Sequence, residues 1–409
     1  MALIEAKTLL SGVKKQEKLN ANLLHLTANE NQLSRTANNF LASKLSERYY
    51  FGAGKEGVID FGSYTFVGMS AVEQLVDRAE LALKEMTGAA IVNLSCFSGL
   101  HAMMCAILST TKPGDLIMSI AFEDGGHGAT KGIIESLGRK HAFAKFDQKK
   151  LQFNVTETAK IFKQTRAKAL YIDISVHLNS LNVQKIRQAL GKNALIIFDA
   201  SHSMGLILGG QFPSPFQEGT DVICGNTHKT FAGPQRGMIL FKDKTLGEKA
   251  DWLIKTTFTS SVHTSELIAL AISILEYYKF GKKYAIQIIN NSMALAKAFV
   301  ELGYEVRISS NGKYSNNEQV HVFVDKLGDR IKLYHRLVNN NISTNFMQIL
   351  GGRSFARIGT QEITRRGMKE KDMSIIADLF HRAILGKPVK TEVVKFNALF
   401  KKIYYSFDQ

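Results

Sequence analysis

Apolar residues fall along this chain in two periods. From Ser70 to Thr87 they recur at helical intervals, and Gly88 supplies a stop. Short unbroken apolar runs occupy residues 91–94, 116–120, 169–173, 195–199, 221–224 and 237–241. Helical patterns over 102–108, 131–137 and 183–190 separate several of them. Repeated strand–helix units with continuously apolar strands predict an α/β fold, with a mostly parallel sheet covered on both faces. Residues 264–300 are apolar-periodic without a proline and predict one long helix. Beyond it, strands are expected at 305–308, 319–325 and 355–358, and helices near 328–338 and 370–385. Residues 1–20 read as an arm or a first helix, and 36–48 carry helical spacing. The glycine-rich stretch from Gly52 to Gly68 reads as a loop.

This patterning divides the chain into an N-terminal arm (1–25), a large domain (26–275) and a small C-terminal α/β domain (276–409). With 409 residues and 45% apolar content, each domain has enough apolar surface for its own core. No apolar run resembles a signal peptide or reaches membrane-spanning length. Cys96, Cys105 and Cys224 make neither an even disulfide framework nor a metal-like pair, so a cytoplasmic setting and no metal site are expected. The net charge of +16 comes from dispersed lysines without interleaved aromatics. That pattern argues against a nucleic-acid role and fits attraction of anionic substrates.

In open parallel sheets functional groups gather beyond the carboxyl ends of the strands. Ser98, Asp124, Ser175, Asp199 and Lys229 all fall there. Lys229 lies in Thr227-His228-Lys229-Thr230, between the apolar runs at 221–224 and 237–241. Burial favours the neutral amine, which can form a Schiff base with a carbonyl. Ser98-Gly99-Leu100 opens a helix after a strand, where backbone N–H groups and the helix dipole cradle an anion such as phosphate.

Thr227-His228-Lys229-Thr230 with Gly233-Pro234, Phe198-Asp199-Ala200-Ser201-His202, and Arg357-Ile358-Gly359-Thr360 together resemble serine hydroxymethyltransferase and its relatives. These are pyridoxal 5'-phosphate (PLP) enzymes of the aspartate-aminotransferase fold, type I, and the resemblance runs from Leu26 to Met368. It implies a seven-stranded type of sheet and roles for named residues. Lys229, flanked by His228, carries PLP, and Asp199 pairs with its pyridine nitrogen. His202 lies near its phenolic oxygen. Ser98, Gly99 and Leu100 take its phosphate, while Ser175 and Thr227 lie close by. Arg357 grips the amino-acid carboxylate. Asn29 stands where the family has a serine in its Ser-Glu-Asn turn. Glu47 is the acid/base at the substrate hydroxyl, on a segment that enters the partner's site, so the resemblance implies a homodimer.

Several positions depart from the family. Leu45 replaces a tyrosine whose contact is lost or moves to Tyr49, Tyr50 or Tyr64. Asp124 replaces the histidine that stacks on PLP, leaving Asp124, His127 or Phe122 to face the cofactor. Gln235-Arg236-Gly237 resembles a divergent branch that includes threonine transaldolases. Met347 falls at the family's folate-contacting asparagine, and Leu350-Gly351-Gly352-Arg353 is a reduced folate loop. The expectation is a folate-independent aldolase or transaldolase that cleaves L-threonine or a similar donor through a glycine quinonoid, with aldehydes as co-substrates. Hydroxymethyl transfer between serine and tetrahydrofolate is the alternative. A catalytically dead binding protein is a third reading, disfavoured by the presence of Lys229, Asp199, His202, Glu47 and Arg357 together.

Overall fold

The computed structural model describes residues 2–349 and 351–409; Met1, in the arm, and Leu350, in the reduced loop, lie outside the described residues. Seven strands form the main sheet: β1 (Ile91–Asn93), β2 (Leu116–Ser119), β3 (Lys140–Phe143), β4 (Ala169–Ile172), β5 (Leu195–Asp199), β6 (Val222–Asn226) and β7 (Gly237–Phe241). Their order is β1-β7-β6-β5-β4-β2-β3. Pairing is parallel from β6 through to β3, while β7 runs antiparallel to both β6 and β1.

Strands β4, β6 and β7 are buried at every residue, because helices cover both faces of the sheet. Alternation along β5 sends Ile196 and Phe198 to one face and Ile197 to the other. The helix Ser70–Thr87 packs Val72, Val76, Ala79 and Leu83 into the first core. The helix Gly99–Thr110 presents Ala102, Met103 and Ala106 to the second. Each large apolar side chain fully buried in this way contributes about 1.5–3 kcal/mol. Cys96, Cys105 and Cys224 are buried and free.

The helix Thr264–Glu301 runs unbroken for 38 residues. Its first half, through Ile288, belongs to the core of the main sheet. Leu295 to Phe299 belong to a separate core built on β8 (Gln319–Phe323), β9 (Asn345–Gln348) and β10 (Ser354–Gly359), ordered β8-β10-β9. One rod therefore carries both cores, and the change from one to the other falls between Ile288 and Leu295. Leu24 and Leu26 also pack in this C-terminal core, and Leu24 pairs with Ile342. The segment leading to Asn29 is thus held by the C-terminal unit.

Three elements differ from the expected ones, the first being the glycine-rich stretch read as a loop, which carries a short hairpin of Val58–Asp60 with Thr65–Val67. Residues 305–308 form no strand; Val306 makes only an isolated bridge to Val322. Flanking turns at Gly303 and at Ser309 to Lys313 leave too short a segment for a ladder. The helical pattern over 36–48 splits into Arg35–Leu41, capped by Ser34, and a 3-10 turn, Lys44–Glu47. Extended Ser43 breaks the register between them. No helix among the described residues is long and apolar enough to cross a membrane.

Candidate active site

The chain leaves β6 at Asn226, turns, and re-enters the sheet as β7. Thr227 ties the turn together: its Oγ1 donates to the Pro234 carbonyl at 2.5 Å and accepts from the Arg236 N–H at 3.1 Å. Thr227 is fully buried and braces the loop; its hydroxyl is taken up within the loop, and the residue does not line the cavity. Arg236, also fully buried, donates to the carbonyls of Val262 and Leu94 at 2.8 and 3.0 Å. Asn31 donates to the Lys229 carbonyl at 2.6 Å. This framework aims Lys229 Nζ into a cavity of about 210 Å³, 3.1 Å from His202 Nε2. Burial lowers the Lys229 pKa to about 8, against the opposing pull of Asp199.

Asp199 closes β5 at the same cavity. Its Oδ2 accepts from the Tyr171 hydroxyl at 2.8 Å and its Oδ1 from the Ser201 N–H at 2.9 Å. Across the cavity, Ser98 caps the helix Gly99–Thr110 by accepting from the His101 N–H at 3.1 Å. A Cβ on Gly99 would sit 2.8 Å from Cβ of Asn226, so only glycine lets the helix start approach β6 this closely. Ser98, Gly99 and Leu100 all line the cavity.

Of the three residues left open to face the cofactor, His127 lines the cavity and Asp124 and Phe122 do not. Gly125, at φ +96°, reverses the chain after the 3-10 turn Phe122–Asp124. The reversal brings His127 to the cavity wall, within electrostatic range of Asp199 and Lys229. Asp124, expected at the cofactor, is off the wall, accepting from Gln148 Nε2 at 2.6 Å. Phe122 is exposed.

Arg357 on β10 and Asn29 do not line the cavity themselves; Arg357 lies behind its wall residue Ser175. Its Nη1 donates to the Ser175 carbonyl at 2.8 Å, and its Nη2 donates to Oδ1 of Asn29 and, at 3.1 Å, of Asn345. Its Nε is buried without a partner, a donor left for a carboxylate. Burial brings the guanidinium down to about 10, with Glu318 opposing.

Glu318, fully buried, escaped the sequence reading, as did Asp173 and Asn345. Glu318 Oε1 is 3.6 Å from His202 Nδ1 and accepts from Gln319 Nε2 at 2.9 Å. Burial pushes its carboxyl up to about 7. Asp173 lines the cavity floor and accepts from Thr130 and from the His127 N–H, and burial raises its carboxyl too. The only sequence signal for Glu318 was the polar triplet Asn317-Glu318-Gln319 at the head of an apolar strand.

His228 lies on the cavity wall with its Nδ1 buried and unpartnered; burial lowers its pKa to about 4. Glu47 and Tyr64 stay outside. Glu47 ends an exposed 3-10 turn, and Tyr64 lies at the tip of the hairpin formed by Val58–Asp60 and Thr65–Val67. Within one chain neither lines the cavity.

A lysine of lowered pKa, a carboxylate facing it and a helix N-terminus at the far side match the aldehyde, ring nitrogen and phosphate of PLP. The family model described as serine hydroxymethyltransferase matches residues 5–380. The chain belongs to this family. It is a PLP-dependent enzyme of the type I fold. A fluorothreonine transaldolase of Streptantibioticus cattleyicolor is 34% identical over 92% of this chain, which spans 59% of that protein. A serine hydroxymethyltransferase of Methanosphaera stadtmanae is 33% identical, covering 95% of this chain and 92% of the relative. The crystal structure of an L-threonine transaldolase from Pseudomonas fluorescens, in its internal aldimine state, superposes with a TM-score of 0.89. That match has 27% identity and covers 100% of this chain and 96% of the other.

Proposed function

We propose that this family member is a folate-independent aldolase or transaldolase. It would cleave L-threonine or a similar β-hydroxy amino acid and add the glycyl unit to a second aldehyde. The observation that carries the reading is Met347. At the position expected for a folate-contacting asparagine, this side chain packs with the apolar group of Leu151, Val176, Leu178, Ile349 and Phe355. A thioether in that setting offers a pterin almost no hydrogen bonding. The transaldolase named among the sequence relatives and the one among the solved structures support the same reading.

Bound in the cavity, PLP supplies an electron sink for breaking the Cα–Cβ bond. Lys229 would hold it, Asp199 would keep its ring nitrogen protonated, and the helix start at Ser98 and Gly99 would take its phosphate. Arg357 fixes the substrate carboxylate, and its buried setting strengthens that pairing. Asn29 and Asn345 orient the guanidinium. Lys229, with its pKa near 8, takes up and returns a proton close to neutral pH, and His202 stands beside its Nζ to relay one. Glu47 would accept the β-hydroxyl proton in the cavity of a second copy. Its exposure in the single chain supports that arrangement, and with it a homodimer of shared sites.

Serine–tetrahydrofolate hydroxymethyl transfer is the second reading, favoured by the hydroxymethyltransferases among the relatives. The test is a product screen with threonine and varied aldehydes, with and without tetrahydrofolate. Acetaldehyde release and a new β-hydroxy amino acid in the absence of folate are expected. Serine cleavage that requires tetrahydrofolate and outpaces threonine cleavage would establish the second reading instead.

A further inference from the structure

Beside Asn29 lies a cluster that the proposed chemistry does not use. His25 closes the short strand Leu24–His25, Glu30 follows after the turn that carries Asn29, and Glu362 enters from the helix Gln361–Arg365. One ligand atom from each lies within 4.8 Å of the other two.

The hydrogen bonds around the cluster leave buried atoms of His25 and Glu362 without partners. His25 Nε2 is 3.1 Å from the Asn20 carbonyl, which can only accept, so the ring proton sits on Nε2. In the neutral ring Nδ1 is then a lone pair; burial opposes a second proton there, but the hydrogen bond to Glu30 and the Glu362 and Glu30 charges outweigh it and raise the ring's pKa. Nδ1 is buried, has no hydrogen-bond donor, and faces Glu30 Oε2 at 3.4 Å. Glu362 is 4% exposed, and its Oε1 is buried without a partner. Thr27 Oγ1 supplies one donor to Glu30 Oε2, at 2.8 Å, and Gln32 one to the Glu362 carboxylate. The Arg366 guanidinium, within electrostatic range of Glu362, is directed instead to Asn397 and the Phe400 carbonyl. Buried acceptors turned toward one another repel unless a proton or a metal cation lies between them, and a metal ion would take the place of the proton.

We propose that His25, Glu30 and Glu362 bind a divalent first-row cation of the Mn²⁺ class, beneath the turn that carries Asn29. An imidazole and two carboxylates form a donor set that such ions accept. A histidine that gives its second N–H to a backbone carbonyl is the usual outer-shell support of a metal ligand. Glu30 is 55% exposed, which leaves an entry route and room for water ligands.

The cation would act on the turn. Gln361 Nε2 already holds that turn by donating to the carbonyls of Thr27 and Glu30 at 2.7 and 2.8 Å. Asn29 reaches Arg357, and Asn31 reaches the Lys229 carbonyl. Joining Glu30 to Glu362 would lock both asparagines in place. The ion is a structural clamp and takes no part in bond breaking.

The test does not depend on activity. Holoenzyme is stripped with a chelator and titrated with Mn²⁺, and free Mn²⁺ is read by its paramagnetic resonance signal. Mn²⁺ is chosen because it disfavours thiolates and so avoids the separate Cys96–His101–Cys105 cluster. One equivalent per chain is expected. Glu362→Gln and His25→Gln should each weaken binding by about tenfold or more while the absorbance of the lysine-bound cofactor is kept. Wild-type protein without saturable Mn²⁺ binding, or variants with undiminished affinity, would overturn the proposal. None of these outcomes bears on folate independence.

Discussion

Lys229 Nζ lies 3.1 Å from His202 Nε2, with His202 buried and Lys229 half-buried at the cavity. Burial lowers the pKa of both: Lys229 to about 8, and His202 well below its ordinary value, with the Lys229 charge adding to the effect of burial. The pair therefore shares at most one proton near neutral pH, and it sits on the lysine.

That relationship fixes a pH dependence for the cofactor-free protein. Lys229 ordinarily titrates at 10.5, so between about 8 and 10.5 the unfolded chain binds a proton that the folded chain does not. Stability then rises with pH across this window, and the full burial penalty is felt below pH 8. Lys229→Met should stabilise the cofactor-free protein by about 3 kcal/mol at pH 7, with the gain vanishing by pH 10.5. Denaturant unfolding at several pH values measures it; equal stability of the two proteins at pH 7 would refute the assigned burial cost.

Arg357→Ala should weaken amino-acid binding by about 2–4 kcal/mol, because a buried charge-assisted pair is lost. The resting cofactor spectrum should not change. Arg357→Lys should recover only part of the loss, since an ammonium cannot reproduce the fork that reaches Ser175, Asn29 and Asn345. Spectroscopic titration with threonine reads both variants, and wild-type affinity in either would rule the role out.

Gly99→Ala places a methyl 2.8 Å from Cβ of Asn226 and 3.1 Å from its backbone N. The helix start must move back from β6, and its N–H groups move with it. Cofactor affinity should fall by about tenfold, equivalent to about 1.4 kcal/mol. Fluorescence titration of the cofactor-free variant measures this. An unchanged affinity would mean that the phosphate does not bind at this helix start.

Glu47 and Lys229 should act together across two subunits. Glu47→Gln and Lys229→Ala proteins should each be nearly inactive. Subunits mixed after reversible dissociation should recover about a quarter of wild-type activity, because half of the dimers then hold one intact site in two. Recovery no greater than the sum of the two separate preparations would show that Glu47 does not serve a neighbouring subunit.

The main sheet was legible because its strands are buried on both faces, so each appears locally as an unbroken apolar run. The strands Leu195–Asp199 and Gly237–Phe241 and the helix Val183–Leu190 have the bounds their patterns predicted. Lys229, Asp199, Ser98 and Ser175 were legible for a related reason: a polar residue just past such a run must sit at the sheet's carboxyl edge. Tertiary structure alone decided what depends on direction and on distant partners. Gly125's reversed backbone put His127, and not Asp124, at the cavity. Residues 305–308 had the composition of a strand but too little length between turns to pair as one. Glu318 meets His202 from more than a hundred positions away, and Glu362 meets His25 from more than three hundred. No local pattern encodes such meetings. They arise only when two cores, fixed on one helix, bring their polar edges together.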